Sequence, residues 1–218
     1  ILYRLLENTF KDIVITQNDL AEEMYISLST LKMHLNEVKD ILQKYDLKVT
    51  QYKTKGIKVI GEEVKIRYCI VDMINTCSTE KFFQKILANV DIKLLDKIIK
   101  ETLSYKKIQL ADRSKEKFCL HIAIGMQRSS YNKFVSYPSS IANKIENTFE
   151  YNVAKELIDN ILKKFGTKNV IIVGVVLIVT IVILITYWMI KLRIYRKEIV
   201  VLENDMNAIK TLPIQYRL

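Results

Sequence analysis

Apolar residues recur with the spacing of an α-helix over most of the first 166 positions. The clearest stripe lies between residues 27 and 43, where apolar side chains follow one another at steps of four, three and four. Such steps place side chains on one face of a helix, so the segment is predicted to be a helix with a single buried face. The stripe consists of Leu31, Leu35, Val38 and Leu42.

A shorter helix is predicted just before this one. Thr16 is a suitable N-cap, and Asp19 follows in the position that closes a capping box. Residues 25–26 are left for a turn, after which Ser27 is placed to cap the second helix. Residues 47–51 and 57–60 then read as two strands around a turn at residues 55–56. This is the arrangement of a winged helix-turn-helix, although a generic helix pair with a hairpin gives the same pattern.

In a winged helix-turn-helix, the N-terminal part of the second helix and the hairpin face DNA. The hydroxyl, amide and ammonium groups at these positions are of the types that bind phosphates and base edges. The sequence therefore predicts a double-stranded DNA partner. The predicted DNA-binding residues are Ser27, Ser29, Thr30, Lys32, Met33 and Asn36 on the helix, and Lys53, Lys55 and Lys58 on the hairpin.

Residues 62–166 continue with helical spacing and are predicted to form a helical bundle. The stretch "FCLHIAIGMQR" holds His121, one of only two histidines in the chain, and Arg128 seven positions later. Seven positions are about two helical turns, so the two side chains share a face, with Gly125 between them. A neutral imidazole can accept a phosphoryl group, and a guanidinium can balance its charge. The residues alone leave three roles open for His121: a core side chain, a metal ligand or a phosphate acceptor.

The longest apolar run, residues 170–190, contains no charged residue in 21 positions. About 20 such residues span a bilayer core, so a single transmembrane helix is predicted over residues 167–193. A buried core helix or two parallel strands are the alternatives. Residues 194–218 form a basic juxtamembrane tail. A short coiled coil in this tail is left open by the spacing of Ile199, Leu202, Met206 and Ile209.

The predicted fold class is therefore mainly α. A winged helix-turn-helix over residues 1–61 is followed by the bundle over residues 62–166 and by the transmembrane helix. The expected location is the cell membrane, crossed once, with residues 1–61 in the cytoplasm. Basic residues are balanced on the two sides of the apolar run and do not set its orientation.

Composition narrows the classes of function. The sequence has only 5 Gly and 2 Pro, which favours helices over tight turns. Its net charge of +10 is spread along the chain, as is typical of a solvated surface, so the DNA prediction rests on the motif.

Three cysteines without a CxxC pair argue for buried free thiols and against a zinc site. No catalytic motif is found, so neither an enzyme nor a cofactor is predicted. The start at Ile1 suggests a fragment, or a numbering that omits the true start.

Two stretches together resemble a known family. "LAEEMYISLSTLKMHLNEVKDIL" and "YKTKGIKVIGEEVKIR" are similar to the winged helix-turn-helix of bacterial activators of sugar operons that carry phosphotransferase-system regulation domains (PRDs). These activators are related to the antiterminators of the β-glucoside type, which bind RNA through a different N-terminal domain. "HIAIGMQR" is similar to the helix of a PRD that carries a phosphorylatable histidine, and the likeness covers about residues 1–166.

The resemblance implies that His121 accepts phosphate and that Arg128 stabilises it. It also implies a phosphohistidine carrier protein or components of a sugar transporter as partners. A PRD normally has a second histidine on a late helix, but no histidine follows His121 here, and the apolar run stands in its place. The chain is therefore predicted to contain a truncated PRD. It is then either a membrane-tethered derivative or the product of a damaged frame or gene boundary near Gly166.

The sequence thus predicts a DNA-binding transcriptional regulator of carbohydrate uptake or utilisation genes, controlled through phosphorylation of a histidine. The alternative is a membrane-anchored protein-interaction module that does not bind DNA. Phosphate contacts would give DNA affinity a steep dependence on salt, which separates the two. Formation of a homodimer is left open.

Overall fold

The computed structural model describes residues 1–52, 56–76, 80–135 and 148–165. This part of the chain contains eight helices and one two-stranded antiparallel sheet. In chain order the elements are α1 (Leu2–Asn8), α2 (Gln17–Glu23), α3 (Leu28–Gln43), β1 (Lys48–Tyr52), β2 (Gly56–Ile60), α4 (Glu63–Thr76), α5 (Glu80–Ile86), α6 (Ile92–Tyr105), α7 (Asp112–Ser130) and α8 (Phe149–Phe165).

Helices α2 and α3 form the predicted helix-turn-helix, and both predicted caps are present. The hydroxyl of Thr16 accepts a hydrogen bond from the amide of Asp19 at 3.0 Å, and that of Ser27 accepts one from the amide of Thr30 at 3.1 Å. Each cap satisfies one of the amides that an α-helix leaves unpaired at its start. All four residues of the predicted stripe on α3 are buried, which confirms the predicted face.

The predicted hairpin is also observed. Strands β1 and β2 pair over five positions, from Lys48 opposite Ile60 to Tyr52 opposite Gly56. An isolated bridge joins Ile15 to Ile57, so the hairpin is attached to the segment before α2. Gly56 has a φ of 105°, and a Cβ there would collide with the Ile15 carbonyl, so this approach requires glycine.

The remaining helices form the predicted helical unit. Helix α7 packs against both α4 and α6, and α6 also packs against α8. The buried side chains of this unit and of the helix-turn-helix belong to one continuous hydrophobic core, from Leu5 in α1 to Ile161 in α8. The two units are therefore held together by apolar burial as well as by the polar contacts described below.

The predicted fold class is corrected at its C-terminal end. Within residues 1–52, 56–76, 80–135 and 148–165, no helix is both long enough and apolar enough to cross a membrane. A fold that ends in a transmembrane helix over residues 167–193 is therefore not supported, and the described fold is a winged helix-turn-helix with a helical unit. The apolar run at residues 170–190 and the tail after it lie outside the described residues.

Candidate nucleic-acid interface and histidine site

The start of α3 carries a cluster of three hydroxyl groups. The Ser27 hydroxyl lies 2.7 Å from that of Ser29 and 2.8 Å from that of Thr30. Ser27 and Ser29 are exposed and Thr30 is half-buried, so the cluster can be reached from solvent. Hydroxyl groups at a helix N-terminus, where the helix dipole is positive, suit contact with a phosphate.

The exposed face of α3 continues from this cluster. Lys32, Met33 and Asn36 are all exposed on the side opposite the buried stripe, and Met33 is 57% exposed. The amide oxygen of Asn36 accepts a hydrogen bond from Lys39 at 3.3 Å. Because α2, β1 and the core hold the opposite face, α3 presents a fixed row of polar and apolar side chains to solvent.

Tyr25 is a surface residue that the sequence reasoning assigned only to the turn. It is 95% exposed and has a φ of 53°, so the turn between α2 and α3 holds its ring in solvent, two residues before the Ser27 cap. The positive φ could not be read from the sequence, because a non-glycine residue adopts it only when the surrounding turn demands it.

Of the three predicted hairpin lysines, Lys58 lies within the described residues. Lys58 lies 3.9 Å from the carboxylate of Asp12, and its ammonium group is 5.7 Å from the centre of the Tyr52 ring. Lys58 is thus partly engaged by its own fold. Lys53 and Lys55 lie outside the described residues.

His121 lies on α7 and is only 7% exposed. Its ring packs edge-on against that of Tyr68 on α4, with 5.0 Å between the ring centres. Burial lowers the pKa of His121 to about 4, and the nearby Lys117 ammonium acts in the same direction while Asp72 opposes it. The imidazole is therefore neutral at physiological pH, and one ring nitrogen keeps the lone pair that a nucleophile needs.

Lys117 and Asp72, which lie near His121, connect its surroundings to the helix-turn-helix. Lys117 donates a hydrogen bond to one carboxylate oxygen of Asp72 at 2.8 Å, and Tyr45 donates to the other at 3.3 Å. Tyr45 comes two residues after α3 ends. Burial and then the Asp72 carboxylate raise the pKa of Tyr45 to about 12, so its hydroxyl stays protonated.

Sequence reasoning missed Lys117, Asp72 and Tyr45. Lys117 could have been found, because it lies four positions before His121 and therefore on the same helix face. Asp72 and Tyr45 carry no such local signal, since only the packing of α4 on α7 brings them there.

Arg128 is paired with residues other than His121. Its guanidinium forms two 2.6 Å hydrogen bonds to the carboxylate of Glu63 at the start of α4, and a third of 2.7 Å to the hydroxyl of Thr9. It also lies 4.7 Å above the ring of Phe10 and is 1% exposed. Arg128 thus joins α7, α4 and the segment after α1, and none of its hydrogen bonds among the described residues goes to His121.

The same carboxylate also binds Arg67. The Nε of Arg67 donates to Glu63 at 2.8 Å, and the Nη2 of Arg67 donates to the carbonyl oxygen of Lys133 at 2.7 Å. Two guanidinium groups thus share one carboxylate whose side chain is 13% exposed, and each also donates to an oxygen of another segment.

The described residues offer no metal centre: in residues 1–52, 56–76, 80–135 and 148–165, no group of three His, Cys, Asp or Glu side chains is close enough to hold an ion. Cys69 and Cys119 are buried free cysteines, and burial raises the pKa of each thiol to about 12. Both thiols therefore stay protonated at neutral pH. Cys77 lies outside the described residues.

Comparison with known proteins identifies two domains. Residues 1–73 match the Mga helix-turn-helix domain, and residues 96–169 match the PRD domain. The chain is 28% identical over 154 residues to the probable licABCH operon regulator of Bacillus subtilis (strain 168), covering 68% of the chain and 24% of the relative. It is 24% identical over 141 residues to the transcriptional regulator ManR of the same organism, covering 63% of the chain and 22% of the relative.

The chain thus spans about a quarter of the length of the curated relatives it matches. The resemblance to helix-turn-helix regulators with a PRD is confirmed for both domains. The match gives no support for a truncated PRD fused to a membrane segment, and no helix among residues 1–52, 56–76, 80–135 and 148–165 can cross a membrane.

Proposed function

We propose that this chain, which carries a Mga helix-turn-helix domain and a PRD domain, is a DNA-binding transcriptional regulator of carbohydrate-utilisation genes controlled by phosphorylation of His121. The observation that carries the proposal is the pairing of the two domains in one chain, as in relatives described as regulators. Residues 1–61 would bind DNA, and residues 62–166 would hold the controlling histidine. Because chromosomal DNA is the target, the helix-turn-helix unit would work in the cytoplasm.

The DNA-binding step would use the start of α3. Its hydroxyl cluster and the exposed Lys32 supply neutral donors and a cation on one surface, which is the combination that anchors a helix to the phosphate backbone. Asn36 lies one turn further along and can reach a base edge in the major groove. The buried stripe supports this role by fixing the rotation of α3 about its axis.

We expect a double variant, Thr30→Ala with Lys32→Ala, to weaken DNA binding about tenfold or more, because each lost contact is worth about 1–3 kcal/mol. Binding is measured by gel retardation on duplexes selected from a random-sequence pool. The plot of log affinity against log salt should also become shallower by about one, since one phosphate contact is removed.

Lys97→Ala is the matched control, since Lys97 is an exposed lysine on α6 whose side chain is 72% exposed. It should leave the affinity unchanged. If the double variant and Lys97→Ala bind equally well, α3 is not the recognition helix. If no salt-dependent binding is found at all, the chain is a protein-interaction module instead.

The phosphorylation step would be a transfer between histidines. A lone pair on a ring nitrogen of His121 forms the new P–N bond while the P–N bond of the donor phosphohistidine breaks. The donor nitrogen keeps the bonding electrons and takes up a proton, and the proton on the other nitrogen of His121 is released to solvent. The low pKa of His121 supports this role, because the attacking ring is already neutral.

Incubation with a radiolabelled phosphohistidine carrier protein should label the wild-type chain, and His121→Ala should remove the label. The sequence itself supplies the matched control, because its only other histidine, His34, is half-buried on α3 beside Glu37. His34→Ala should therefore be labelled like the wild type. A label that survives in His121→Ala and disappears in His34→Ala would overturn the assignment of His121.

A further inference from the structure

Helices α4 and α7 present two residue pairs to each other near His121. His121 packs against Tyr68, and one turn away Lys117 binds Asp72. The spacing is four residues on both helices, so the two pairs lie one helical turn apart along the α4–α7 contact and form a four-residue cluster of Tyr68, Asp72, Lys117 and His121. Tyr68 and Asp72 also line an open cleft of about 300 Å³, so solvent reaches these two members of the four-residue cluster.

The four-residue cluster is also hydrogen-bonded to the segment that follows the recognition helix α3. Tyr45 binds Asp72, and the next residue, Asp46, binds Lys65 of α4 at 2.8 Å. Both residues follow directly on the last turn of α3, where Asp46 has a φ of 53°. The segment that leaves the recognition helix is therefore held by two side-chain contacts to the helix that also faces His121.

We infer that Lys117 and Asp72 form a charge switch that transmits phosphorylation of His121 to the end of α3. A phosphoryl group on His121 attracts the Lys117 ammonium and breaks its hydrogen bond to Asp72. The Asp72 carboxylate, now repelled by the phosphoryl group, moves and loses its hydrogen bond to Tyr45. This inference rests on the proposed function, because it takes His121 as the phosphate acceptor.

Charge and distance support the direction of the switch. A phosphoryl group adds a charge of about −1.5 to −2, whereas Asp72 carries −1, so the new group is the stronger partner for a single ammonium. Lys117 lies one turn from His121, and its side chain is 37% exposed, which leaves it free to turn toward that side. Asp72 then loses its cation and stands beside a new anion, which disfavours its present position.

The same side chains already interact electrostatically in the unphosphorylated protein. Lys117 and Asp72 act on His121 with opposite signs, and Asp72 acts on Tyr45. Asp72 therefore contacts both Lys117 and the segment after α3. Its two carboxylate oxygens are divided between the two partners.

Hydrogen exchange at the amides of residues 45–47 tests the switch. These amides donate to the carbonyl oxygens of Leu42 and Gln43 at 2.9–3.0 Å, so their protection reports on the end of α3. We expect phosphorylation by the carrier protein to speed their exchange about fivefold or more, the usual lower range of coupling between sites. Lys117→Gln should show a smaller change on phosphorylation than the wild type, because it has no ammonium group to move from Asp72 to the phosphoryl group.

Lys115→Gln is the matched control, because Lys115 is on the same helix but pairs with the exposed Asp112. It should respond to phosphorylation like the wild type. Lys117→Arg keeps the charge and should also keep the response, which guards against a variant that simply folds badly. Circular dichroism checks the helix content of each variant.

The outcomes separate this inference from the proposed function. If His121 is not labelled, the phosphorylation part of the proposed function fails, and the switch fails with it even if Lys117→Gln alters exchange. If His121 is labelled but exchange at residues 45–47 is unchanged, only the switch is overturned. An equal response of Lys117→Gln and wild type to phosphorylation would also overturn the switch.

Discussion

At the scale of the residue, burial determines the chemistry of His121 more than any charged neighbour does. Its ring is almost fully covered, and the loss of hydration disfavours the charged form. The same cause keeps the thiols of Cys69 and Cys119 protonated, so neither competes with His121 as a nucleophile near neutral pH. Tyr68, whose ring packs edge-on against His121, also lines an open cleft at the surface.

The low pKa of His121 predicts a specific loss of stability in mild acid. The folded-state pKa of about 4 lies below the ordinary value of 6.5, so between these pH values the unfolded chain binds more protons than the folded one. The free energy of unfolding should therefore fall as the pH drops from 6.5 to 4 and be unaffected by His121 above that window. The loss should reach about 3 kcal/mol at most.

Urea unfolding at several pH values measures this loss. His121→Gln should remove the slope between pH 6.5 and pH 4, while His34→Gln should retain it. Carboxylates whose pKa values are lowered by a cation, such as Asp12 beside Lys133, lose their contribution mainly below this window. Equal slopes in wild type and His121→Gln would contradict a buried neutral histidine.

At the scale of the element, prediction succeeded where the signal is local. The caps at Thr16 and Ser27 and the stripe on α3 depend only on residues a few positions apart, and all are found. The hairpin was predictable for the same reason. Helix α1 had no such signal: it is seven residues long, and no side chain caps its start at Ile1. Only burial of Leu5 and Leu6 against the rest of the chain explains it.

The candidate sites divide in the same way. The hydroxyl cluster and the exposed face of α3 follow from helical periodicity, so the sequence could indicate them. The partner of Arg128 could not be predicted, because Glu63 lies 65 positions away and meets it only through the packing of α4 on α7. The predicted membrane helix rested on the length of one uncharged apolar run, and that run lies outside the described residues. The described helices α6 and α8 each bury one side only, and no described helix is both long and apolar enough to cross a membrane.

At the scale of the whole molecule, the helix-turn-helix and the helical unit behave as one folded body. They share a continuous core, and Arg128 adds polar contacts from α7 to both Glu63 and Thr9. A change in either unit can therefore reach the other without passing through a linker.

Replacing Arg128 should weaken this connection. We expect Arg128→Met to lower the free energy of unfolding by about 3 kcal/mol, because three hydrogen bonds of a buried guanidinium are lost, two of them to a carboxylate. Arg113→Met is the control on the same helix, since Arg113 is exposed, and it should change stability little. Urea unfolding compares the two, and equal stabilities would show that the pair with Glu63 contributes nothing.

A double variant refines the result. Adding Glu63→Gln to Arg128→Met removes the carboxylate as well. The double variant should therefore lose less free energy of unfolding than the sum of the losses in the two single variants. Strict additivity would mean that the two side chains do not interact in solution.

The Arg128 contacts also constrain how the helix-turn-helix of this chain can be exchanged by recombination. A foreign helix-turn-helix joined at residue 61 would arrive without Thr9 and Phe10, and Arg128 would then lose its hydroxyl acceptor and the ring beneath it. A chimaera that keeps the first ten residues and Glu63 preserves these contacts, whichever helix replaces α3. The DNA specificity proposed for α3 can therefore be altered by exchanging α3 alone, whereas exchange of residues 1–61 requires a matching change of Arg128.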